Sequence, residues 1–418
     1  MPGEAQRYLV GGAVRDALLG LAVADRDWVV VGATPEAMDR AGYQAVGRDF
    51  PVFLHPLTKE EHALARTERK AGHGYHGFVF QTGPGVALAD DLARRDLTIN
   101  AIACDEAGQH IDPYNGRADL AARVLRHVSP AFVEDPVRIL RLARYYTRFA
   151  PLGFTVADET RALCRQMVAS GEVDHLVPER VWAETERALM CDEPAAFFYF
   201  LREIGALARL FPELDSLFGV PQPTRYHPEV DCGIHTLLVL SLAAAQGAGP
   251  VARYAALCHD YGKGLTPARI LPGHRGHEER GVEPTDIASR RMGVPRQTRE
   301  TACLAARWHT HLHRITQLTP DTVMTLFEAL DVFRRPERLE DLIAVCVADV
   351  RGRLGYETRA YPQAEMARKA LEAARALSGA DVITHYDLTG PAVGEKLREL
   401  RVQAVHEAIH GRQTTHAS

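Results

Sequence analysis

One stretch constrains this chain more than any other. Tyr8-Leu9-Val10 is followed by Gly11-Gly12-Ala13-Val14-Arg15-Asp16 and a short helical run through Leu19; then come Asp25-Arg26-Asp27 and Trp28-Val29-Val30-Val31. An apolar β-like run, a Gly-Gly turn, a helix and a second β-branched run predict strand, turn, helix and strand in close succession. Two glycines let the backbone approach a phosphate, and the helix start offers free N–H groups. Arg15 adds a positive charge near that end. If Asp25 and Asp27 share a strand, its period of two turns both carboxylates to one face. Held that way they can grip Mg²⁺, which bridges nucleotide phosphates, and a pair of ions can stabilise both oxygens of an in-line displacement. An isolated Asp-x-Asp is more often a polar turn entering a strand; the run around it gives it meaning.

Further short strands are expected at Val52-Phe53-Leu54 and Phe78-Val79-Phe80, and a turn at Ile111 to Gly116. After about Pro130 helical periodicity takes over. It breaks at Pro151-Leu152-Gly153, Cys191 to Pro194 and Gly219 to Pro223, the last being the best candidate boundary. The expected organisation is a head at 1–130, a helical neck and body at 131–225, a histidine-rich helical domain at 226–333 and a helical tail at 334–418, with His410 to Ser418 frayed. The 418 residues are ample for several cores. A net charge of −5 excludes bulk attraction to nucleic acid, so any RNA contact must use local arginines. Seven scattered cysteines form no CxxC pair, which argues for a reducing, cytoplasmic compartment and against a disulfide framework or zinc finger. The immediate strand pattern leaves no room for a signal peptide, and the longest apolar run, Leu237 to Ala245, is too short to cross a membrane.

Glu134-Asp135-Pro136-Val137-Arg138 predicts a helix start, with an acidic N-cap and proline at N1. Arg138, Arg141, Arg144 and Arg148 then fall within a sector of roughly 120°, with Leu142, Ala143, Tyr146 and Phe149 opposite. Read without context, this is a solvated basic face. Cys258-His259-Asp260-Tyr261-Gly262-Lys263 sets an imidazole beside a carboxylate at a helix end, a pair suited to a transition metal or Mg²⁺. His235 lies upstream, His274 and His277 in the intervening loop, and His309 downstream. His227 is expected to be structural, and His311 and His313 to face solvent.

The run GGAVRDALLG…DRD is similar to the signature of class II tRNA nucleotidyltransferases and bacterial poly(A) polymerases, within the polymerase-β-like superfamily. Arg94 to Ala101 and Ala65 to Lys70, with Gly72 to Gly77 as part of a mobile loop, match the same family. The H…HD…H/D spacing resembles the HD phosphohydrolases. From Tyr8 to about Arg401, the order GGAVRD, DRD, RRDLTINA, DPYNG, EDPVR, PERVW, HD and ADVRGR resembles the bacterial multifunctional CCA proteins. That likeness implies an α+β chain: a mixed-sheet head with helices, an all-α neck and body, an α-helical HD domain and a helical tail.

It also implies roles. Asp25 and Asp27 would bind catalytic Mg²⁺, Gly12 and Arg15 the triphosphate, and Arg95 the nucleotide, with Asp96 and Asn100 ordering the loop. Asp135 and Arg138 would read the Watson–Crick edge of the incoming base: the carboxylate accepts from the amino group that C and A share, and the arginine donates to ring or carbonyl acceptors. Arg141 and Arg144 would neutralise phosphates or support that pair. His235, His259 and Asp260 would be metal ligands or their supports, with His309 and Asp349 as further members and Ni²⁺ as stimulating ion; Thr310 stands where an acidic neighbour of His309 is expected. His259 and Asp260 would be catalytic, through metal-activated water attacking a cyclic phosphate or phosphomonoester. The implied activity is template-independent addition of CCA to tRNA from CTP and ATP, by a monomer or homodimer with no membrane partner. The rivals are a poly(A) polymerase, an enzyme adding only A or only CC, a degenerate head on a phosphohydrolase or tRNA-binding regulator, and an inert HD scaffold.

Overall fold

The computed structural model describes residues 5–46, 52–70, 78–225 and 227–411, without the side chains of 68–70 and 78–81. The loop Gly72 to Gly77 and the end of the chain from 412 lie outside the described residues. Backbone packing divides the chain into two compact units, Met1–Ala188 with Ala196–Leu210, and Leu189–Ala195 with Phe211–Ser418. The second junction precedes the proline-glycine break at 219–223.

In the first unit, β1 (Gln6–Val10), α1 (Gly12–Leu18), β2 (Asp27–Val31), α2 (Pro35–Arg40), β3 (Gln44–Val46), β4 (Val52–Leu54) and β5 (Glu61–Leu64) follow one another. β6 (Arg66–Lys70) and β7 (Phe78–Thr82) form a separate antiparallel ladder. Next come α3 (Leu88–Ala93), β8 (Ala103–Cys104), β9 (His110–Ile111), α4 (Gly116–Ala122) and β10 (Val124–Leu125). The main sheet has the order β3-β4-β5-β2-β1-β8-β9. It is mixed: β2 runs parallel to β5 and antiparallel to β1.

Alternation along β2 explains how this sheet is covered on both faces. Val29 packs with Val10, Leu92 and Ala101, whereas Val30 packs with Met38, Phe53 and Leu64. Each buried Val, Leu, Met or Phe among these contributes on the order of 1.5–3 kcal/mol. Asp27 has the parity of Val29, so it points to the Leu92–Ala101 side and towards the segment Arg95 to Asn100. Asp25 is not in the strand. β1 pairs with β2 only up to Val10↔Asp27, because Gly11 turns the chain away at φ +67°.

The unit continues with α5 (Val137–Phe149), β11 (Thr155–Val156) paired to β10, α6 (Asp158–Ala169), α7 (Pro178–Leu189), α8 (Ala195–Glu203) and α9 (Leu207–Leu210). α5 begins one residue later than the acidic N-cap predicts. Asp135 still caps it, its carboxylate accepting from Val137 N at 3.2 Å and its carbonyl from Arg138 N.

The second unit is helical: α10 (Pro212–Asp215), α11 (Cys232–Ala245), α12 (Pro250–Cys258), α13 (His277–Arg291), α14 (Arg296–His313), α15 (Pro320–Leu330), α16 (Glu337–Arg351), α17 (Pro362–Arg375), α18 (Gly379–Tyr386) and α19 (Pro391–His410). α11 is apolar nearly all round and buried, as a central helix must be. His410, expected to be frayed, is the last residue of α19. All seven cysteines are free, and no described helix is long and apolar enough to cross a membrane.

Candidate functional site

The first unit contains a cleft of about 640 Å³. Gly11, Gly12, Asp25, Asp27, Arg95, Asp96, Asn100, Asp135, Arg138, Arg141 and Arg144 all line it. Strand β2 brings Asp27, the Gly11 turn closes one wall, and α5 brings the arginines. The positive φ requires glycine at position 11, and a Cβ there would lie 2.9 Å from Arg95 Nη1 and displace that guanidinium. Asp25 and Asp27 are solvent-accessible at the mouth. The cleft walls nevertheless strip enough water to push the Asp27 carboxyl above its ordinary value; Arg95 opposes this and the nearby Asp25 adds to it.

Arginine pairing shapes the rest of the cleft. Asp96 accepts from Leu97 N, Asn100 Nδ2 and Arg141 Nε, the last at 2.7 Å. Burial works against its charge, but Arg141 and Asn100 outweigh burial and hold the carboxyl well below the usual range. Arg138 is buried and donates to the carbonyls of Ala131 and Arg94, at 2.7 and 2.6 Å. Asp135 pairs with Arg180 of α7 at 2.7 Å, and Arg144 with Glu184. The guanidiniums of Arg144, Arg15 and Arg141 lie 4.3, 5.1 and 5.6 Å from the Tyr145 ring. Arg15 does not line the cleft. It is 2 % exposed and donates to Asp16 and to Asn100 Oδ1, beneath the Gly11–Gly12 turn.

In the second unit, His235 on α11, His259 and Asp260 after α12, His277 at the start of α13, His309 on α14 and Asp349 on α16 converge, all buried. The turn after Asp260 reaches α13 because both partners lack side chains there. A Cβ on Gly262 would fall 2.0 Å from His277 O and 2.6 Å from Gly281 N. Asp349 Oδ1 is 3.1 Å from His235 Nε2, and its Oδ2 is 2.7 Å from His313 Nε2. Lys263 Nζ is 2.6 Å from Asp260 Oδ2 and donates to Gln222 Oε1. Both Asp260 oxygens and His259 Nε2 are buried without a hydrogen bond of regular geometry, which fits a donor set made for a cation. Burial, with His277 adding to it, drives the His309 imidazole down to about 3 and so keeps it neutral. Beside this cluster opens a cavity of about 830 Å³ lined by Lys263, Arg275, Arg314 and Arg353 together with Glu278 and Glu279, its cations outnumbering its carboxylates.

Several participants escape sequence reasoning. His313, expected to face solvent, is half-buried between Asp349 and Tyr361. His311 is also half-buried, packed edge-on against Trp308. His227 meets His235 edge-to-face, with ring centres 4.6 Å apart, and shares Glu229 with it. The acidic neighbour wanted at Thr310 comes from another helix: Thr310 donates to Glu278 Oε1 at 2.7 Å. In the head, Glu61 lies in register with Asp27 on the parallel neighbour β5, and both line an acidic cavity of about 720 Å³ with Asp25 and Glu60. Only a correct guess of the β2–β5 register would have found Glu61. Arg180 lies within PERVW, but that motif does not indicate its partner.

Residues 7–126 match the poly A polymerase head domain, 153–218 the probable RNA and SrmB-binding site of polymerase A, and 233–353 the HD domain. The chain is 61% identical over 400 residues to the multifunctional CCA protein of Thioalkalivibrio sulfidiphilus (strain HL-EbGR7), covering 96% of this chain and 98% of that one. It is 59% identical to the protein of the same name from Halorhodospira halophila (strain DSM 244 / SL1), covering 96% of each. Among solved structures it resembles the Bacillus stearothermophilus CCA-adding enzyme in complex with CTP, with a TM-score of 0.63 at 24% identity, covering 96% of this chain and 89% of that one. It also resembles the Thermotoga maritima CCA-adding enzyme complexed with tRNA, with a TM-score of 0.62 at 20% identity and coverages of 97% and 90%. These two likenesses concern the fold.

Proposed function

The chain belongs to the multifunctional CCA protein family, CCA-adding tRNA nucleotidyltransferases that carry an HD domain, and from that premise we propose that it builds and repairs the 3′-terminal CCA of tRNA from CTP and ATP while its HD domain hydrolyses phosphate esters. One observation carries the first half: the carboxylate pair and the Asp135–Arg138 helix start line a single cleft. A nucleotide there has its phosphates at Asp25 and Asp27 and its base at Asp135 and Arg138. Magnesium, a hard ion taking oxygen ligands, suits the carboxylate pair, and the mutual repulsion that helps raise Asp27 is what a cation relieves. When bound it supplies charge neutralisation at the reacting phosphate.

This chain's own residues do the positioning. The Gly11–Gly12 turn and Arg95 hold the triphosphate. Arg138, tethered to two carbonyls, presents a fixed donor, and Asp135, steadied by Arg180, an acceptor. Arg141 and Arg144 support this pair through Asp96, Glu184 and Tyr145, and Arg15 supports the turn from below through Asn100. In the HD domain the histidine-rich set of His235, His259, Asp260, His309 and Asp349 suits a transition ion such as Ni²⁺. The predominantly basic cavity beside it suits a 2′,3′-cyclic phosphate, a 2′-nucleotide or another phosphomonoester.

The test follows CMP and AMP addition to tRNAs lacking one, two or three terminal residues, beside release of phosphate from cyclic-phosphate ends. Asp27→Ala should reduce addition by about a thousandfold, the loss of several kcal/mol of ion-borne stabilisation, with hydrolysis unchanged. Asp260→Asn should do the reverse. Incorporation of A without C in the parent protein would defeat the CCA reading in favour of a poly(A) polymerase or an enzyme that adds only A.

A further inference from the structure

Three of the four arginines on α5 line the nucleotide cleft, and the fourth, Arg148, does not. It turns instead to α1, where its Nη2 donates to Asp16 Oδ2 at 2.9 Å. Asp16 is buried, and its other oxygen accepts from Arg15 Nε at 2.8 Å. Arg15 Nη1 donates in turn to Asn100 Oδ1, Asn100 Nδ2 to Asp96 Oδ1 at 2.8 Å, and Arg141 Nε to Asp96 Oδ2 at 2.7 Å. Arg141 belongs to α5 again. The contacts therefore close a ring that leaves α5 at Arg148 and returns to it at Arg141. On the way it passes under the Gly11–Gly12 turn, where a Cβ on Gly12 would lie 3.5 Å from an Arg15 nitrogen. Tyr145 and Phe149 of α5 support the ring: their planes are nearly parallel, and the Arg15 guanidinium lies 5.1 and 5.0 Å from their centres.

Arg138 and Arg141 tie the start of α5 to the 94–96 segment of the head. Arg148 stands seven residues beyond Arg141, two turns and about 10.5 Å further along the same face. A helix tied only at its start can tilt; a second tie at this distance prevents it. The Gly11–Gly12 turn holds the phosphates and the start of α5 reads the base, so the ring fixes the span between the two ends of one nucleotide. Selection by side chains depends on that span. Asp135 and Arg138 separate one base from another only by a difference in fit, and a misplacement of about 1 Å is enough to spoil alignment.

We propose that Arg148 and Asp16, neither of which lines the cleft, are positioning residues for base selection. Their pairing holds α5 at a set distance from the phosphate turn, and so sets how sharply Asp135 and Arg138 separate C and A from U and G. Stability is not its main product, since a pair whose arginine side chain is 38% exposed adds little. This inference rests on reading the cleft as one that adds C and A to tRNA.

The test measures kcat and KM for CTP, UTP, ATP and GTP one at a time, with the full chain and tRNAs lacking three or one terminal residues. Arg148→Gln should lower the CTP-over-UTP and ATP-over-GTP ratios of kcat/KM by about tenfold, the order of one lost base-edge contact. Its thermal unfolding should stay close to that of the parent. Arg148→Lys, which keeps a donor for Asp16 Oδ2, should recover most of each ratio. Asp16→Asn, whose one remaining oxygen cannot serve both arginines, should lower the same ratios, and Arg148→Gln should add little on that background. Unchanged ratios, or all four nucleotides slowed by one common factor, overturn the positioning role and leave the cleft's reading standing. A parent protein that adds neither CMP nor AMP overturns that reading, and this inference with it. Should Arg148→Gln fail to fold by circular dichroism, the ratios of Asp16→Asn decide.

Discussion

In the head cleft, carboxylates are met by arginines: Asp96 by Arg141, Asp135 by Arg180, Glu184 by Arg144, Asp91 by Arg94. In the HD cluster a single Lys or Arg reaches each of the two aspartates, Lys263 at Asp260 and Arg353 at Asp349, while five imidazoles, those of His235, His259, His277, His309 and His313, crowd the same oxygens. The first arrangement is electrostatically complete within the protein, apart from Asp25 and Asp27 at its mouth. The second leaves imidazole nitrogens and carboxylate oxygens facing one another, a donor set that suits a cation. Burial of charge thus has two solutions in one chain, and they respond differently to chelators and to acid.

Chelation probes the difference most directly. Removing bound ions should lower the stability of the second unit by about 3–4 kcal/mol, the linkage expected when free metal exceeds its dissociation constant a hundredfold to a thousandfold. Thermal unfolding with and without chelator would show it, and Asp260→Asn should abolish the dependence. An equal chelator effect on the first unit's transition would break the contrast.

Asp96 sharpens it from the other side. Its pKa is depressed in the fold, so its stabilisation is full above the unfolded carboxylate value of about 4 and fades as pH falls below it. Asp96→Asn should cost about 2–3 kcal/mol at pH 7, less than a fully enclosed pair because Arg141 is 34% exposed. Denaturant unfolding of the two proteins should begin to converge as pH falls below about 4 and meet only well below it. A gap that ignored pH would mean that the pairing is not what stabilises.

The smallest effect concerns Asp341 on α16, a carboxylate with neither solution. Burial, then Glu337 and Glu340, push it up to about 6, and Arg338 does not compensate. The protonated form is favoured in the fold, so stability present at low pH is lost as pH rises through about 6. Asp341→Asn should therefore melt about 2 °C above the parent at pH 8 and together with it near pH 4. A difference persisting at pH 4 would point to packing.

The same contrast governs what could be read from the sequence. The head motifs are local: Gly11, Gly12, Asp25 and Asp27 stand close along the chain, and strand parity alone turns Asp27 towards the cleft. The four arginines of α5 were legible as a face, because helical period is a sequence property. Their partners were not. Arg138 meets the carbonyls of Ala131 and Arg94, and Asp135 meets Arg180 of a different helix. In the HD domain the converging histidines and aspartates come from five separate places along the chain. His259-Asp260 signals itself by adjacency, but nothing in the spacing separates His277 and His313, which join the network, from the more peripheral His311. That distinction depends on how α13, α14 and α16 pack, and so on the side-chain-free crossing of Gly262 and Gly281.

The way the chain threads its two units carries one practical consequence. Leu189–Ala195 belongs to the second unit, yet Ala196–Leu210 returns to the first. A single scissile point therefore cannot yield both halves intact: cleavage after Ala188 strips the first half of α8 and α9, and cleavage after Leu210 leaves it trailing a segment whose home is elsewhere. Separating what the two units do is a task for point substitutions rather than for truncation.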